Sequence, residues 1–257
     1  MDALNEAVIE NMRFTLTAMG SLDSSRFLAL DDDSFLMATG TDAASENWLF
    51  MSARPKKVTV EHALRFFGDL GLPFICPVLP GAQGAGDVLE ETGLQKRGEL
   101  TAMARALAPS GEMGFTADLV CEAATSRDEA SLWAEVAWQA FDSPPDAPAS
   151  FANLARGLCG RDDFIPVTAR RKARPVGTYL LSISERGNGV YYFATLPEAR
   201  RTGVGNAMMD DILRRTAEHA NGPITLQATP PGLPFYTSRG FDALFKIPVH
   251  SLSPDIF

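Results

Sequence analysis

The feature that most constrains this chain is the same order of helix and strand signals in its two halves. In each half, strand-like runs precede a longer helix, a further strand, a short helix that ends at a glycine, and a closing strand. From Arg54 to Gly93 is 39 residues, and from Arg200 to Gly240 is 40. A fixed order at matched spacing is typical of an internal repeat. The sequence therefore predicts a duplicated α/β unit; chance similarity of two ordinary α/β segments is the alternative.

Hydrophobic periodicity and turn residues place the individual elements. Helices are predicted over 3–19, 60–70, 87–92, 126–141, 151–158, 206–220 and 233–238, and strands over 26–30, 34–39, 47–52, 73–79, 94–107, 116–124, 164–169, 176–184, 189–195, 224–228 and 241–247. A hairpin turn is expected over Arg186-Gly187-Asn188-Gly189, because it contains Asn-Gly, a strong signal for a short hairpin. We expect an α/β fold with mixed sheets and two domains, residues 1–115 and 116–257.

Charge and composition exclude several classes of protein. The 257 residues are 46% hydrophobic, which is enough for a packed core, and the net charge is −9. An acidic chain is a poor partner for nucleic acid or an anionic membrane, so neither is expected. The charge is uneven, because residues 1–115 hold 16 acids and 9 bases, net −7, while residues 116–257 hold 16 acids and 14 bases, net −2.

Targeting and metal signals are also weak. No apolar run approaches the roughly 18 residues needed to span a membrane, and acidic residues interrupt the start of the chain, unlike a signal peptide. The three cysteines and three histidines are widely spaced, without a CxxC pair. We therefore expect a cytoplasmic protein with reduced cysteines and no metal.

The segment that carries chemistry is Arg-Arg-Thr-Gly-Val-Gly over Arg200–Gly205, between a strand and a long helix. Such a loop presents consecutive backbone N–H groups at the positive end of the helix dipole, which favours an anion. Gly203 and Gly205 leave room for phosphate oxygens to approach the backbone, and Arg200 and Arg201 add positive charge. We call Arg200–Gly205 the phosphate loop. A dinucleotide fingerprint is disfavoured because the third glycine is missing and the next strand ends without an acid.

Two other segments leave alternatives open. The basic run Arg170–Arg174 lies between two strand signals and is predicted to be a charged, solvated hairpin turn. Contact with a cofactor phosphate would require this turn to reach across the sheet. The glycine-rich run Gly81–Gly86 follows a strand and precedes a helix, so a phosphate site is conceivable there, although a flexible connection is favoured.

Three motifs in order resemble the GNAT N-acetyltransferase superfamily. They are residues 193–205 with their R-x-x-G-x-G loop, Leu226-Gln227-Ala228-Thr229 on the next strand, and Tyr236-Thr237-Ser238-Arg239-Gly240-Phe241 as the closing Y-x-x-x-G-F motif. The resemblance covers about residues 116–257. It implies two GNAT-like units, each a mostly antiparallel mixed sheet flanked by helices, with the first resembling the degenerate half of tandem (double-GNAT) proteins.

The resemblance also implies a function, which is acetyl transfer from acetyl-CoA to an amine by direct attack. It assigns Tyr236 as the general acid that protonates the CoA thiolate. It assigns cofactor binding to Phe193, Ala194, Thr195, Arg200, Arg201, Thr202, Gly203, Val204, Gly205 and Asn206. Packing of Tyr236 against the core is the alternative for that side chain.

No general base is predicted. The strand over 190–195 carries no carboxylate, and the candidates elsewhere are each more typical of a solvated surface: Glu122, Asp142, Asp162, Asp163 and Glu198. The first half has no glycine where the phosphate loop would lie, and it has Leu89 where Tyr236 would fall. It is expected to have lost acetyl-CoA binding.

The remaining expectations concern partners. The acceptor is a small-molecule or peptide amine, and the acidic first half favours a cationic one. The chain is expected to act as a monomer or homodimer. A non-catalytic CoA or acyl-CoA sensor or scaffold is the alternative function, and transfer of a longer acyl group is also open.

Overall fold

The computed structural model describes residues 2–30, 34–51, 53, 55–82, 84–107, 118–141, 146–219 and 222–256. Its helices are α1 (Ala3–Gly20), α2 (Lys57–Leu70), α3 (Ala85–Glu91), α4 (Arg127–Ala140), α5 (Ala149–Leu158), α6 (Val204–His219) and α7 (Leu233–Ser238). Its strands are β1 (Arg26–Ala29), β2 (Phe35–Ala38), β3 (Asn47–Phe50), β4 (Cys76–Pro77), β5 (Gln95–Arg105), β6 (Leu119–Ala123), β7 (Phe164–Arg171), β8 (Arg174–Ser184), β9 (Gly187–Thr195), β10 (Ile224–Ala228) and β11 (Asp242–Ser251).

The predicted fold class is confirmed, because the strands form mostly antiparallel mixed sheets flanked by helices. Each predicted helix and strand is present, with bounds shifted by a few residues. The main shortening is β4, predicted over 73–79 and observed at Cys76–Pro77.

The hairpin turn predicted over Arg186–Gly189 is present, but its predicted position is wrong by about two residues. Ser184 pairs with Gly187 and Ile183 pairs with Asn188, so the turn lies at Glu185-Arg186 and Asn188 is inside β9. The glycines here serve close packing instead. A Cβ on Gly189 would meet the Asn11 side chain at 1.9 Å, far inside van der Waals contact.

The chain forms two compact units. Unit 1 comprises residues 1–12 and 104–226, and unit 2 comprises residues 13–103 and 227–257. The predicted domains, residues 1–115 and 116–257, are the consecutive halves of the predicted duplication and stay a prediction. Each compact unit instead combines two separate segments of the chain.

In unit 1 the strand order is β6-β7-β8-β9-β10. The first four strands are antiparallel neighbours, and β10 runs parallel to β9. Helix α4 begins with a capping box, in which Ser126 accepts from the Glu129 N–H and Glu129 accepts from the Ser126 N–H. The fully buried Trp133 of α4 donates its indole N–H to the Tyr179 carbonyl at 3.0 Å, fixing α4 on β8.

Asn11 of α1 is fully buried in unit 1 and holds the β8–β9 hairpin. Its amide Nδ2 donates to the carbonyl oxygens of Ser182 and Gly187, each at 3.1 Å, and to the Ser184 hydroxyl at 3.2 Å. Its Oδ1 accepts from the Tyr191 hydroxyl at 2.9 Å. One side chain thereby satisfies its own buried polar atoms and fixes the start of β9.

Unit 2 contains the antiparallel sheet β1-β2-β3 and the strands β4-β11-β5. Helix α2 ends at Gly71, whose φ of 66° is the left-handed conformation that favours glycine at a helix end. The core of unit 2 lies between β2, β3, α2, β4 and α3. Its buried side chains are Leu36, Ala38, Leu49, Met51, Val60, Ala63, Phe67, Phe74, Cys76, Ala82, Ala85, Leu89 and Leu94.

Among the described residues, no helix has both the length and the apolar character required to cross a bilayer.

Candidate functional site

Strand β9 contains a β-bulge in front of the phosphate loop. Leu180 pairs with Tyr191, whereas Thr178 pairs with Ala194, so Tyr192 and Phe193 together lie opposite one residue of β8. Tyr192 has a φ of 48°, and its carbonyl oxygen accepts from the Thr178 hydroxyl at 3.1 Å. The bulge therefore redirects the backbone at Phe193, one of the predicted cofactor-binding residues.

The parallel pairing of β9 with β10 is short. It consists of Asn188 with Ile224 and Gly189 with Thr225, at the start of both strands. Later β9 residues pair with β8, including Ala194 with Thr178 and Thr195 with Gly177. The described part of β9 thus leaves β10 after two residue pairs.

The predicted phosphate loop lies directly after β9. A 3-10 turn over Pro197–Ala199 leads to Arg201, with a φ of 60°, and Gly203, with a φ of 87°. A Cβ at Gly203 would have no heavy atom within 4 Å, so the space above the backbone is open. The first amides of α6, from Val204, have no acceptors within the helix, because they lie at its start. Thr202, Gly203 and Asn206 are exposed. The loop therefore fits a pyrophosphate group.

Arg200 forms hydrogen bonds within the protein. Its Nε donates to the Thr195 carbonyl at 3.2 Å, and its Nη2 donates to the Ala140 carbonyl at 3.0 Å. The guanidinium thus connects the end of α4 to the end of β9. Arg201 is exposed beside it and supplies a cation at the loop surface.

The loop is also held by a residue that the sequence did not assign to the site. Arg171, at the end of β7, donates from Nη1 to the Thr202 hydroxyl and from Nη2 to the Thr202 carbonyl, each at 3.0 Å. The Thr202 hydroxyl donates in turn to the Ala199 carbonyl at 2.7 Å. The signal in the sequence was the basic run Arg170–Arg174, which does reach the phosphate loop.

A partly buried ionic cluster fixes α6 to the sheet. Asp211 of α6 accepts from the Tyr179 hydroxyl and pairs with Arg214 and Arg215, each at 2.7 Å. Arg215 also donates to the Cys121 carbonyl of β6 at 3.1 Å. Burial, followed by the Asp211 charge, raises the pKa of Tyr179, so its phenol stays a donor. The cluster positions the helix whose N-terminus forms the phosphate loop.

Tyr236 belongs to α7 in unit 2 and is half-buried. Its ring contacts Phe235 and Phe241 edge-on, with centroids 5.3 and 5.8 Å away. Burial raises the pKa of the phenol, which is therefore protonated at neutral pH. A protonated phenol can donate to a thiolate, although it is a weak acid. The predicted catalytic role of Tyr236 stays a prediction.

The carboxylates considered as a general base have ordinary surroundings where they are described. Glu122 is exposed and pairs with Arg170 at 2.8 Å, and Asp163 pairs with Arg161 at 2.7 Å. Asp162 and Glu198 are exposed. Asp142 lies outside the described residues. None is assigned as a base.

Within the described ranges, no group of three His, Cys, Asp or Glu side chains is arranged to hold a metal ion.

Comparisons with known proteins agree with this geometry. Residues 156–248 match the family model described as Acetyltransferase (GNAT) domain. No curated protein matches the chain by sequence. The fold is similar to that of a GCN5-related N-acetyltransferase from Kribbella flavida, with a TM-score of 0.68 at 16% identity, covering 94% of each chain.

Two further structures show the same fold. A GCN5-related N-acetyltransferase from Sphaerobacter thermophilus has a TM-score of 0.59 at 14% identity, with 76% of this chain and 66% of that chain covered. The glucosamine N-acetyltransferase region of a fungal multi-domain GH3 β-N-acetylglucosaminidase has a TM-score of 0.64 at 13% identity, covering 94% of this chain and 34% of that one. The chain therefore has a GNAT acetyltransferase domain fold.

Proposed function

We propose that this protein transfers an acetyl group from acetyl-CoA to an amine acceptor. The observation that carries the proposal is the left-handed loop at Arg201 and Gly203, which opens α6 directly after a bulged strand. Backbone N–H groups of this loop suit the pyrophosphate of CoA. Phe193 in the bulge, and Ala194 and Thr195 after it, offer backbone groups to the pantetheine and its thioester carbonyl.

The proposed chemistry is a direct displacement. The amine nitrogen bonds to the acetyl carbon, the carbon–sulfur bond breaks, and the sulfur leaves as a thiolate. A backbone N–H near Phe193 stabilises the oxyanion. Tyr236 is proposed as the acid that protonates the thiolate, on the basis of its Y-x-x-x-G-F motif, and the amine loses its proton to water.

We also propose that the first half is a GNAT-like unit that has lost cofactor binding. In both halves the residue that follows an asparagine forms a parallel pair with a strand opened by proline. Trp48 follows Asn47 and bridges Ile75, two residues after Pro73. Gly189 follows Asn188 and pairs with Thr225, two residues after Pro223.

The short helices of the two halves end in the same way. In α3, the Leu94 N–H donates to the Leu89 carbonyl past Gly93; in α7, the Phe241 N–H donates to the Tyr236 carbonyl past Gly240. Both glycines have positive φ, 95° and 80°. Leu89 thus occupies the position of Tyr236, but it is fully buried in the core and has no proton to donate.

The acceptor class follows from charge. The strongly acidic first half, net −7, favours a cationic amine. Small amines, amino sugars such as glucosamine, and lysine-containing peptides form the test panel. We propose a cytoplasmic protein that acts as a monomer or homodimer.

The test begins with acetyl-CoA binding. A ligand at 100 times its dissociation constant adds about 2.7 kcal/mol of stability, which a thermal shift detects easily. An unchanged melting temperature at millimolar acetyl-CoA would reject the proposal. Thiol release is then measured over the amine panel. Binding without turnover on any amine would identify a CoA sensor instead of an enzyme.

A further inference from the structure

The turn between β7 and β8 concentrates positive charge. Arg170 and Arg171 end β7, Lys172 and Ala173 form the turn, and Arg174 begins β8. Lys172 and Ala173 have φ values of 49° and 65°, a left-handed two-residue turn that usually selects asparagine and glycine. Lysine and alanine are less favourable than asparagine and glycine in this left-handed conformation. The turn therefore places Lys172 on an exposed backbone position between the two strands.

The four cations divide into two pairs. Arg170 is neutralised by Glu122 at 2.8 Å, and Arg171 by Asp118 at 3.4 Å. Lys172 and Arg174 are exposed, and neither forms an ion pair within the described part of the chain. Two cations on this turn are thus available to a ligand.

The turn lies beside the phosphate loop. Arg171 holds both the hydroxyl and the carbonyl oxygen of Thr202 at 3.0 Å. The strand register agrees, because the Leu196 N–H donates to the Val176 carbonyl at 3.0 Å, at the end of β9 and the start of β8. The turn and the loop therefore share one end of the unit 1 sheet.

Two neighbouring anion sites suit a ligand with two anionic groups. CoA carries a pyrophosphate and, on its ribose, a separate 3′-phosphate. We propose that Lys172 and Arg174 bind the ribose 3′-phosphate of CoA while the Arg200–Gly205 loop binds the pyrophosphate. This inference rests on the proposed acetyl-CoA binding, and it makes the β7–β8 turn the element that distinguishes CoA from 3′-dephospho-CoA.

The test measures dissociation constants by titration calorimetry for CoA and for 3′-dephospho-CoA. The variant K172N/R174Q removes both charges, and asparagine tolerates the left-handed φ at position 172. The matched control R127A/R186A removes two exposed arginines, at the start of α4 and in the β8–β9 turn. The variant K172R/R174K keeps both charges. Melting temperatures of all proteins establish that each is folded.

We expect the wild-type protein to bind CoA about tenfold more tightly than 3′-dephospho-CoA, the size of one charge-assisted contact. K172N/R174Q should lose this preference through weaker CoA binding, with unchanged binding of 3′-dephospho-CoA. The control and K172R/R174K should keep it. CoA binding with the same preference in K172N/R174Q overturns this inference alone, whereas no CoA binding by the wild-type protein overturns the proposed function as well.

Discussion

Arg200 donates from Nη2 to the carbonyl oxygen of Ala140 across 3.0 Å, a contact between residues 60 positions apart in sequence. The same guanidinium holds the Thr195 carbonyl at 3.2 Å. The arginine of the R-x-x-G-x-G loop thus connects the end of α4 to the end of β9. These two hydrogen bonds position the loop, and the predicted contact of Arg200 with a cofactor stays a prediction.

The first prediction separates the two loop arginines. Arg200→Met should lower the free energy of unfolding by about 1 kcal/mol, because two partly exposed charge-assisted hydrogen bonds are lost. Arg201→Met should change it by less than about 0.5 kcal/mol, as for most exposed positions. Urea unfolding measures both. Equal stability of the two variants would contradict the positioning role of Arg200.

The second prediction tests the open space above Gly203. Gly203→Ala forces a left-handed φ on alanine, which costs about 1–2 kcal/mol, and places a methyl group where phosphate oxygens would approach. We expect lower stability together with a large loss of acetyl-CoA binding, measured by urea unfolding and calorimetry.

Gly71 provides the matched control for Gly203. It also has positive φ, 66°, with no heavy atom within 4 Å of an added Cβ, but it ends α2 in unit 2. Gly71→Ala should lose similar stability and keep acetyl-CoA affinity. If both variants kept wild-type affinity, the loop would not be the pyrophosphate site.

The third prediction concerns His250, which is 3% exposed on β11. Burial lowers the pKa of the imidazole, and the positive charge of Lys96 lowers it further. The carboxylate of Glu90, 4.0 Å away, raises the pKa, but this effect is smaller than that of burial. The unfolded chain therefore binds a proton at higher pH than the folded chain. The contribution of the neutral imidazole to the free energy of unfolding should be fully present above the ordinary histidine pKa of about 6.5. It should decrease as the pH falls below that value.

His250→Gln should remove this component, so the stability difference between variant and wild type should change between pH 7 and pH 5. Urea unfolding at several pH values measures it. His62→Gln, on the exposed face of α2, is the control and should follow the wild-type pH dependence. Parallel curves for His250→Gln and wild type would mean that the imidazole titrates equally in both states.

The elements of the fold could be predicted from sequence because each depends on local signals. Periodicity located the helices, and glycines with positive φ at Gly93 and Gly240 ended the short ones. The phosphate loop was also local, since its residues are consecutive. These features need no knowledge of distant parts of the chain.

Long-range contacts could not be predicted in this way. Asn188-Gly189 has the composition of a turn, yet Gly189 packs against Asn11 in a remote part of the sequence and belongs to a strand. Thr202 and its partner Arg171 lie 31 residues apart, so the motif alone does not include the arginine. A side chain's partner decides its role here, and composition does not identify that partner.

The last prediction tests Tyr236 as the general acid. Because burial raises the pKa of its phenol, Tyr236 should remain protonated through neutral pH and able to donate to the thiolate. Tyr236→Phe should lower kcat by about 10²–10⁴-fold, the usual contribution of a positioned acid, while the acetyl-CoA dissociation constant stays within about twofold. Assays of thiol release measure kcat, and calorimetry measures the dissociation constant of acetyl-CoA.

Tyr179→Phe is the matched control. It also removes a tyrosine hydroxyl, but one that donates a hydrogen bond to Asp211. It should lower stability by about 1 kcal/mol and leave kcat near the wild-type value. If Tyr236→Phe also kept wild-type kcat, the phenol would serve packing against Phe235 and Phe241, and the thiolate would take its proton from water. A fall in kcat confined to Tyr236→Phe would support proton donation by this residue.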